Sequence, residues 1–448
     1  MRLTGFLLRN NVRNYVRKLT LLAAVFLGLL FATASGAQEP FPVIHVDHGP
    51  NAAQQVAKHY VILISFDGFR YDYAQRYHAR NIVALEAKGA WAPEGMIPAF
   101  PSVTFPNHYT LVTGLYPGHH GIVENDFYDP QRGESYKYTD PKSANDGTWY
   151  GGTPLWVLAE QQGMRSASIF WPASTANIQG VLPAYYMKYD DKFPNEKRIE
   201  RILDWLRLPA DQRPHFITLY FSEVDHNGHK YGPDAPELIA TVHELDSELG
   251  RLMQGLKTIK LPVDVIVVAD HGMVRIPPKW IALDQRGLDV ALVQKYWGTL
   301  LYAKTDEDAK KIYEELLPAQ EYKVYRRADL PERLHLSMNP RMGDPVIYPL
   351  VPYAIHVKDN PDTTPPNPGA HGFDPSVVPE MKALFVAAGP DIRSNVKVDS
   401  FENVNVFPLI AHILGLDYSP PKAGPIDGNL SVLRAVLKEP GENARSSN

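Results

Sequence analysis

The 448-residue chain has no cysteine. Disulfide staples are therefore excluded, and the fold must rest on its core, which this length permits. For an exported protein, that fits a bacterial periplasm better than an animal extracellular space. An excess of positive charge is also lacking: 45 Lys and Arg face 50 Asp and Glu, a net charge of −5. Nothing in that balance points to nucleic acid as the main partner. Beyond residue 32 no apolar run is long enough to span a bilayer, and no internal repeat is visible. What remains is an ordinary globular composition, 44% hydrophobic and 21% charged.

The N-terminus stands apart. Arg2, Arg9, Arg13, Arg17 and Lys18 precede the apolar run LTLLAAVFLGLLFA (19–32), and the small residues ATASGAQ follow. Residues 1–37 therefore read as a signal peptide, with an uncleaved anchor as the alternative. Without them the charge falls to −10. Export to a bacterial periplasm is the expected localisation. Residues 38–58 read as an extended lead-in, 59–436 as the main folded domain and 437–448 as a disordered tail.

Within 59–436, five apolar β-rich runs alternate with helical patterns: YVILISF (60–66), SASIFW (166–171), HFITLYF (215–221), VDVIVVA (263–269) and ALFVAAG (383–389). KRIERILDWL (197–206) and ELIATVHELDSELGRLMQGL (237–256) read as amphipathic helices. Continuous apolar strands between helices predict an α/β fold, a central, mostly parallel sheet between helices. Sites of such sheets lie at the carboxyl ends of the strands, and three of these runs end on or near acidic residues. Residues about 275–368 depart from the pattern. With the helical DAKKIYEELL (308–317) and the Pro-rich DNPDTTPPNPG (359–369), they read as a small α+β insertion.

Four clusters carry chemistry. Asp67 ends the first strand in FDGF, where an ordinary turn competes with metal binding. In VDHNGHKYGP, Asp225 and His229 are four apart, one side of a helical turn. Asp270 and His271 end another strand, and Gly272 allows the bend that would let both face one ion. His371 lies in GAHGFDP, a setting that also suits a surface histidine. Three carboxylates and three imidazoles suit two metals with three protein ligands each, leaving positions for substrate and water. Two such metals can clamp the attacking and leaving oxygens of a phosphoryl displacement.

That chemistry needs a nucleophile, and SVTFPNHYTLVTGLYPGHHG (102–121) offers Thr104. Asn107 would donate to a phosphoryl oxygen, or cap the helix that follows. A helix N-terminus also favours phosphate.

These residues resemble a known family. FDGFR, TFPNHYTLVTGLYPGHHGI, VDHNGHKYGP, ADHGM and AHGFD, with FWPAS, RILDWLRLP and FENVNVFPLIAHILGL, are similar to the nucleotide pyrophosphatase/phosphodiesterases of the alkaline phosphatase superfamily, and look closest to bacterial single-domain members. The resemblance implies an alkaline-phosphatase-like sheet and two zinc ions. Asp225, His229 and His371 would hold one zinc, and Asp67, Asp270 and His271 the other, with Thr104 also bound to it. It implies a phospho-threonine intermediate, Asn107 beside it, and a nucleotide base between Phe105 and Tyr189. Nucleoside 5′-monophosphates would be released from phosphodiesters and pyrophosphates. Choline-type phospholipids are an alternative substrate. A phosphomonoesterase would need a strong cation, for which Arg70, read as a surface residue, is the nearest candidate. A sulfatase would need Cys or Ser where Thr104 stands. A non-catalytic binding protein fits poorly with a full set of site residues.

Overall fold

In the computed structural model, residues 41–277, 280–357 and 367–439 are described. The expected signal peptide, most of the Pro-rich loop and most of the polar tail lie outside the described residues. Nine strands form the main sheet: β1 (Ile44–His45), β2 (Tyr60–Phe66), β3 (Ala90–Trp91), β4 (Ser166–Ile169), β5 (Tyr185–Met187), β6 (Phe216–Phe221), β7 (Val263–Val268), β8 (Phe385–Ala388) and β9 (Val396–Lys397). Their order is β1-β5-β4-β6-β2-β7-β8-β3-β9.

β5, β4, β6, β2 and β7 run parallel. β2 lies at the centre with all seven residues buried, which is why it reads as an unbroken apolar run rather than an alternation. β8 departs from the parallel set: it pairs antiparallel with both β7 and β3. The sequence could not distinguish this, because strands buried on both faces look alike in either direction.

Helices α1 (Arg80–Lys88), α2 (Thr104–Thr113), α3 (Leu155–Gln161), α4 (Asn195–Arg207), α5 (Glu223–Tyr231), α6 (Pro236–Ile259) and α7 (Val406–Leu414) flank the sheet. α6 packs against α1, α4 and α5, α7 packs against α2 and β2, and α3 packs against β4 and β6. The fold is thus α/β, a mostly parallel sheet between helices.

The insertion is α+β. Strands 293–297, 300–303, 346–349 and 322–325 form an antiparallel sheet in that order, and the helix Asp306–Leu316 packs on it. It has its own core of Leu301, Ile312, Leu316, Tyr322 and Ile347. Arg341 ties it to the main body by donating to the Asp129 carboxylate at 2.8 Å and to the carbonyls of Gly121 and Trp149.

Candidate metal and phosphoryl-transfer site

Three adjacent central strands, β6, β2 and β7, deliver acidic residues to one edge of the sheet. Asp67 follows β2 directly, Asp270 stands two residues past β7, and Asp225 lies in the first turn of α5, just after β6. Two glycines make this convergence possible. Gly68 has φ +68°, and a Cβ there would meet the Asp225 Cα at 2.9 Å. A Cβ on Gly272 would meet the Glu380 carbonyl at 2.0 Å. The chain therefore bends after β7, and Asp270 and His271 face the same space, with Oδ2 and Nε2 3.0 Å apart.

The histidines are oriented by backbone. His229 Nδ1 donates to the Gly369 carbonyl at 2.8 Å, His371 Nδ1 to Ser102 at 2.9 Å and His271 Nδ1 to Gly272 at 2.9 Å. Each Nε2 is left with a lone pair facing the site, the arrangement that presents imidazole to a metal. Nε2 of His229 and of His371 stand 3.4 and 3.5 Å from Asp225 Oδ1, and His271 Nε2 stands 3.6 Å from Asp67 Oδ1. His371, from a loop with a surface-like sequence, is instead held inward, its ring stacked 3.7 Å from that of His271.

Three carboxylate oxygens here, Asp67 Oδ1, Asp225 Oδ1 and Asp270 Oδ2, are buried without a hydrogen-bond donor. Such orphans are costly. Burial, with the Asp270 and Asp225 carboxylates nearby, pushes Asp67 well above the usual carboxylate range. Burial would raise Asp270 too, but His271 and His108 overcome this and hold it below that range. Burial, then His271 and His229, drives His371 well down. Orphan oxygens facing imidazole Nε2 atoms are a donor set that fits divalent transition cations.

The ligand atoms do not divide into two sets by distance alone. Asp225, His271 and His371 cluster, and so do Asp67, Asp270 and His108. His108 is bonded at both nitrogens, to Ser65 Oγ at 2.8 Å and to the Thr104 carbonyl at 2.9 Å. It therefore positions the neighbouring backbone rather than offering a free lone pair. His271 lies between the two groups.

Thr104 is the first residue of α2, and its Oγ1 lies 3.5 Å from His271 Nε2. The expected phosphate cradle at the helix start is mostly taken: Pro106 has no N–H, and those of Phe105 and Asn107 donate to Asn125 Oδ1 and the Val103 carbonyl.

Asn107 does not serve as expected. It lies within α2, so it is not the helix cap; Val103 occupies that position. Its side chain is fully buried, and its Nδ2 donates to the carbonyls of Ala99, Pro101 and Val103 at 2.9–3.2 Å. Its Oδ1 accepts from Asn403. An amide engaged in this way has no proton left for a phosphoryl oxygen.

The sequence reading missed Asn125, whose Oδ1 accepts the Phe105 N–H at 2.9 Å. This directs its amide group toward the residue after Thr104. The signal was faint, because NDFYD reads as an ordinary turn before the hairpin 126–129/134–137. Tyr220 was missed as well; its OH donates to Asp67 Oδ2 at 2.5 Å.

The aromatic residues sit at the rim. Phe105 packs against Tyr138 at 5.2 Å, with Tyr138 half exposed. Tyr189 is more than half exposed, rests on Phe170 at 5.4 Å and is bonded to Ser222 Oγ. Trp171 lies beneath, its indole N–H donating to the His108 carbonyl. Arg70 is buried rather than on the surface, and its guanidinium is occupied by both oxygens of Asp72 at 2.6 and 2.8 Å. A cavity of about 310 Å³ opens beside the site, between Asn125 and His371 on one side and Trp297, Thr299 and Tyr348 of the insertion on the other.

Residues 61–374 match the family model described as type I phosphodiesterase/nucleotide pyrophosphatase. Human ectonucleotide pyrophosphatase/phosphodiesterase family member 1 is 35% identical over 394 residues, covering 85% of this chain and 42% of that protein. A pyrophosphatase/phosphodiesterase of Schizosaccharomyces pombe is 36% identical over 414 residues, covering 88% of this chain and 84% of its own length. The chain thus spans less than half of the human relative and most of the yeast one. Among solved structures, murine ectonucleotide pyrophosphatase/phosphodiesterase 5 superposes with a TM-score of 0.78 at 29% identity, covering 85% of this chain and all of that one. An inactive threonine-to-alanine variant of the murine protein, in complex with AMP, superposes equally well at 28% identity.

Proposed function

The chain belongs to the type I phosphodiesterase/nucleotide pyrophosphatase family, and on that premise we propose that it is a two-zinc hydrolase of nucleotide phosphodiester and pyrophosphate bonds, with Thr104 as nucleophile. The observation that carries this reading is the set of three buried, undonated carboxylate oxygens facing the histidine Nε2 atoms, with Thr104 Oγ1 3.5 Å from one of them. Asp225, His229 and His371 would hold one zinc. Asp67, Asp270 and His271 would hold the other, with Thr104. When bound, the metals lower the pKa of coordinated hydroxyl and water and offset the phosphoryl charge.

The chain's own residues do the rest. α2 presents Thr104 at its first turn, and its oxygen attacks phosphorus as the bond to the leaving oxygen breaks. The hydroxyl proton leaves with the departing alcohol or phosphate, the phospho-Thr104 ester so formed still carries the nucleoside, and water then releases the nucleoside 5′-monophosphate and regenerates the hydroxyl. Asn125 takes the role first assigned to Asn107: with Oδ1 bonded to the Phe105 N–H, its Nδ2 donates to a phosphoryl oxygen. Phe105, with Tyr138 beside it, and Tyr189 provide aromatic faces for a nucleoside base. That the murine relative forms a complex with AMP supports a nucleotide as ligand. The cavity toward Trp297 and Tyr348 suits the departing portion of the substrate. The pairing of Arg70 with Asp72 disfavours a monoesterase, since its charge is already compensated.

The leader at residues 1–37 supports export, with the catalytic domain at 59–436 and the insertion at about 275–368. Among the described residues no helix is long and apolar enough to cross a membrane.

The test compares zinc-loaded protein on three p-nitrophenyl substrates: the ester of thymidine 5′-monophosphate, phosphorylcholine and phosphate. Preference for the first is expected. Preference for the choline ester would keep the chemistry and replace the pocket reading, and preference for the monoester would overturn the reaction class.

A further inference from the structure

At the opposite edge of the sheet, three residues converge that the reaction does not use. His59 immediately precedes β2, Asp264 is the second residue of β7, and Asp391 follows β8. Because β8 runs against its neighbours, its end lies beside their beginnings. Asp264 and Asp270 are six residues apart along β7 and its extension, so this cluster is about 20 Å from the phosphoryl-transfer site.

One ligand atom from each of His59, Asp264 and Asp391 lies within 4.8 Å of the others. His59 Nδ1 is 2.5 Å from Asp391 Oδ2. Asp264 Oδ1 accepts the Asp391 backbone N–H at 3.0 Å, while Asp264 Oδ2 is fully buried and has no donor. A buried carboxylate oxygen without a donor, beside a second carboxylate and an imidazole, is a placement that a cation would satisfy. The chain packs tightly against this carboxylate: a Cβ on Gly389 would meet Asp264 Oδ1 at 2.3 Å, so only glycine lets the backbone pass. His59 and Asp391 are each about one-third exposed, which gives an entry path from solvent.

We propose that His59, Asp264 and Asp391 bind a divalent transition cation, zinc first among them, in a site separate from the catalytic metals. One imidazole nitrogen and two carboxylate oxygens, with water completing the sphere, form a zinc-compatible set. Ligand atoms in a tetrahedral zinc site stand about 3.4 Å apart, so small side-chain rotations suffice. Lys438 lies close enough for its charge to act on Asp264, and its ammonium donates to the Pro390 carbonyl at 2.9 Å. Its backbone N–H bonds the Asp391 carbonyl, so the cation would also secure the C-terminal segment against the starts of β2 and β7.

The test is metal content by mass spectrometry on the full chain, stripped with EDTA, reloaded with excess zinc and desalted. The Asp264→Asn/Asp391→Asn variant is expected to hold one equivalent less per chain than the wild type, with hydrolysis of a nucleotide diester within about twofold. Only the difference between the two proteins is read, so the result stands whatever the number of catalytic metals. Equal content after loading with zinc and again with manganese would overturn the site and leave a carboxyl pair sharing a proton. If the double variant does not fold, His59→Gln serves, since its ring is partly exposed; full metal content in that variant overturns the proposal equally.

Discussion

Replacing Asn107 and Asn125 one at a time by alanine separates a structural amide from a reacting one. The two Nδ2 protons of Asn107 are shared among three carbonyls and its Oδ1 accepts from Asn403, all within a fully buried pocket. Truncation leaves these partners unpaired. At about 1 kcal/mol net per bond, with some carbonyls finding other donors, Asn107→Ala costs about 3–4 kcal/mol. Unfolding entropy for a domain of this size is about 0.8 kcal/mol per kelvin, so Tm falls by about 4–5 °C. Turnover by the folded fraction changes little. Asn125→Ala loses one bond to the Phe105 N–H and moves Tm by about 1–2 °C, but turnover falls about 100- to 1000-fold, the scale for one oxyanion donor. The assay pairs calorimetric Tm with kcat on the thymidine monophosphate ester. The assignment is refuted if Asn107→Ala removes turnover without lowering Tm while Asn125→Ala retains it.

Other outcomes are equally specific. EDTA is expected to abolish hydrolysis and zinc to restore it; full activity in the stripped protein would sink the metal reading. Thr104→Ala should trap no phospho-enzyme by intact-protein mass spectrometry while retaining bound zinc, and a phosphorylated variant would point to another nucleophile. Phe105→Ala should raise KM for the nucleotide ester at least tenfold more than for p-nitrophenyl phosphorylcholine, whereas equal effects would remove its stacking role. Burial pushes Glu86 up from 4.5 to about 7. A raised carboxyl binds its proton more tightly in the fold, so this contribution is fully present below pH 4.5 and lost as pH rises through 7. Glu86→Gln should therefore match the wild type near pH 4.5 and exceed it by about 1–2 kcal/mol at pH 8, allowing for partial solvent screening. A constant difference across that range would show that the group does not titrate as described.

Much of this architecture is legible in the sequence because burial leaves a composition. β2, β6 and β7 are continuous apolar runs, and the acidic residues that follow them mark the functional edge. The spacing of Asp225 and His229 reads directly as a helical turn, and α5 supplies it. What could not be read depends on long-range geometry. The role of Asn107 is set by the bend at 99–103, whose carbonyls consume its amide. The position of Asn125 is set by a hairpin 20 residues after Phe105, and nothing in NDFYD distinguishes it from a turn. The guanidinium of buried Arg70 is paired with Asp72, whereas the sequence reads it as a surface residue. The direction of β8 leaves no trace in an apolar run, yet it brings Asp391 to His59 and Asp264.

The three site histidines take their ring orientation from main-chain oxygens of Gly369, Ser102 and Gly272. Replacing the Ser102 side chain leaves its oxygen in place, whereas a Cβ at Gly272 or Gly369 would meet a carbonyl oxygen at 2.0 Å and shift the chain itself. Those two glycines apart, the reactive centre is insulated from ordinary drift in the surrounding side chains. The rim formed by Phe105, Tyr138 and Tyr189 is free to change what it accepts, one residue at a time, while the bond-breaking apparatus is inherited intact.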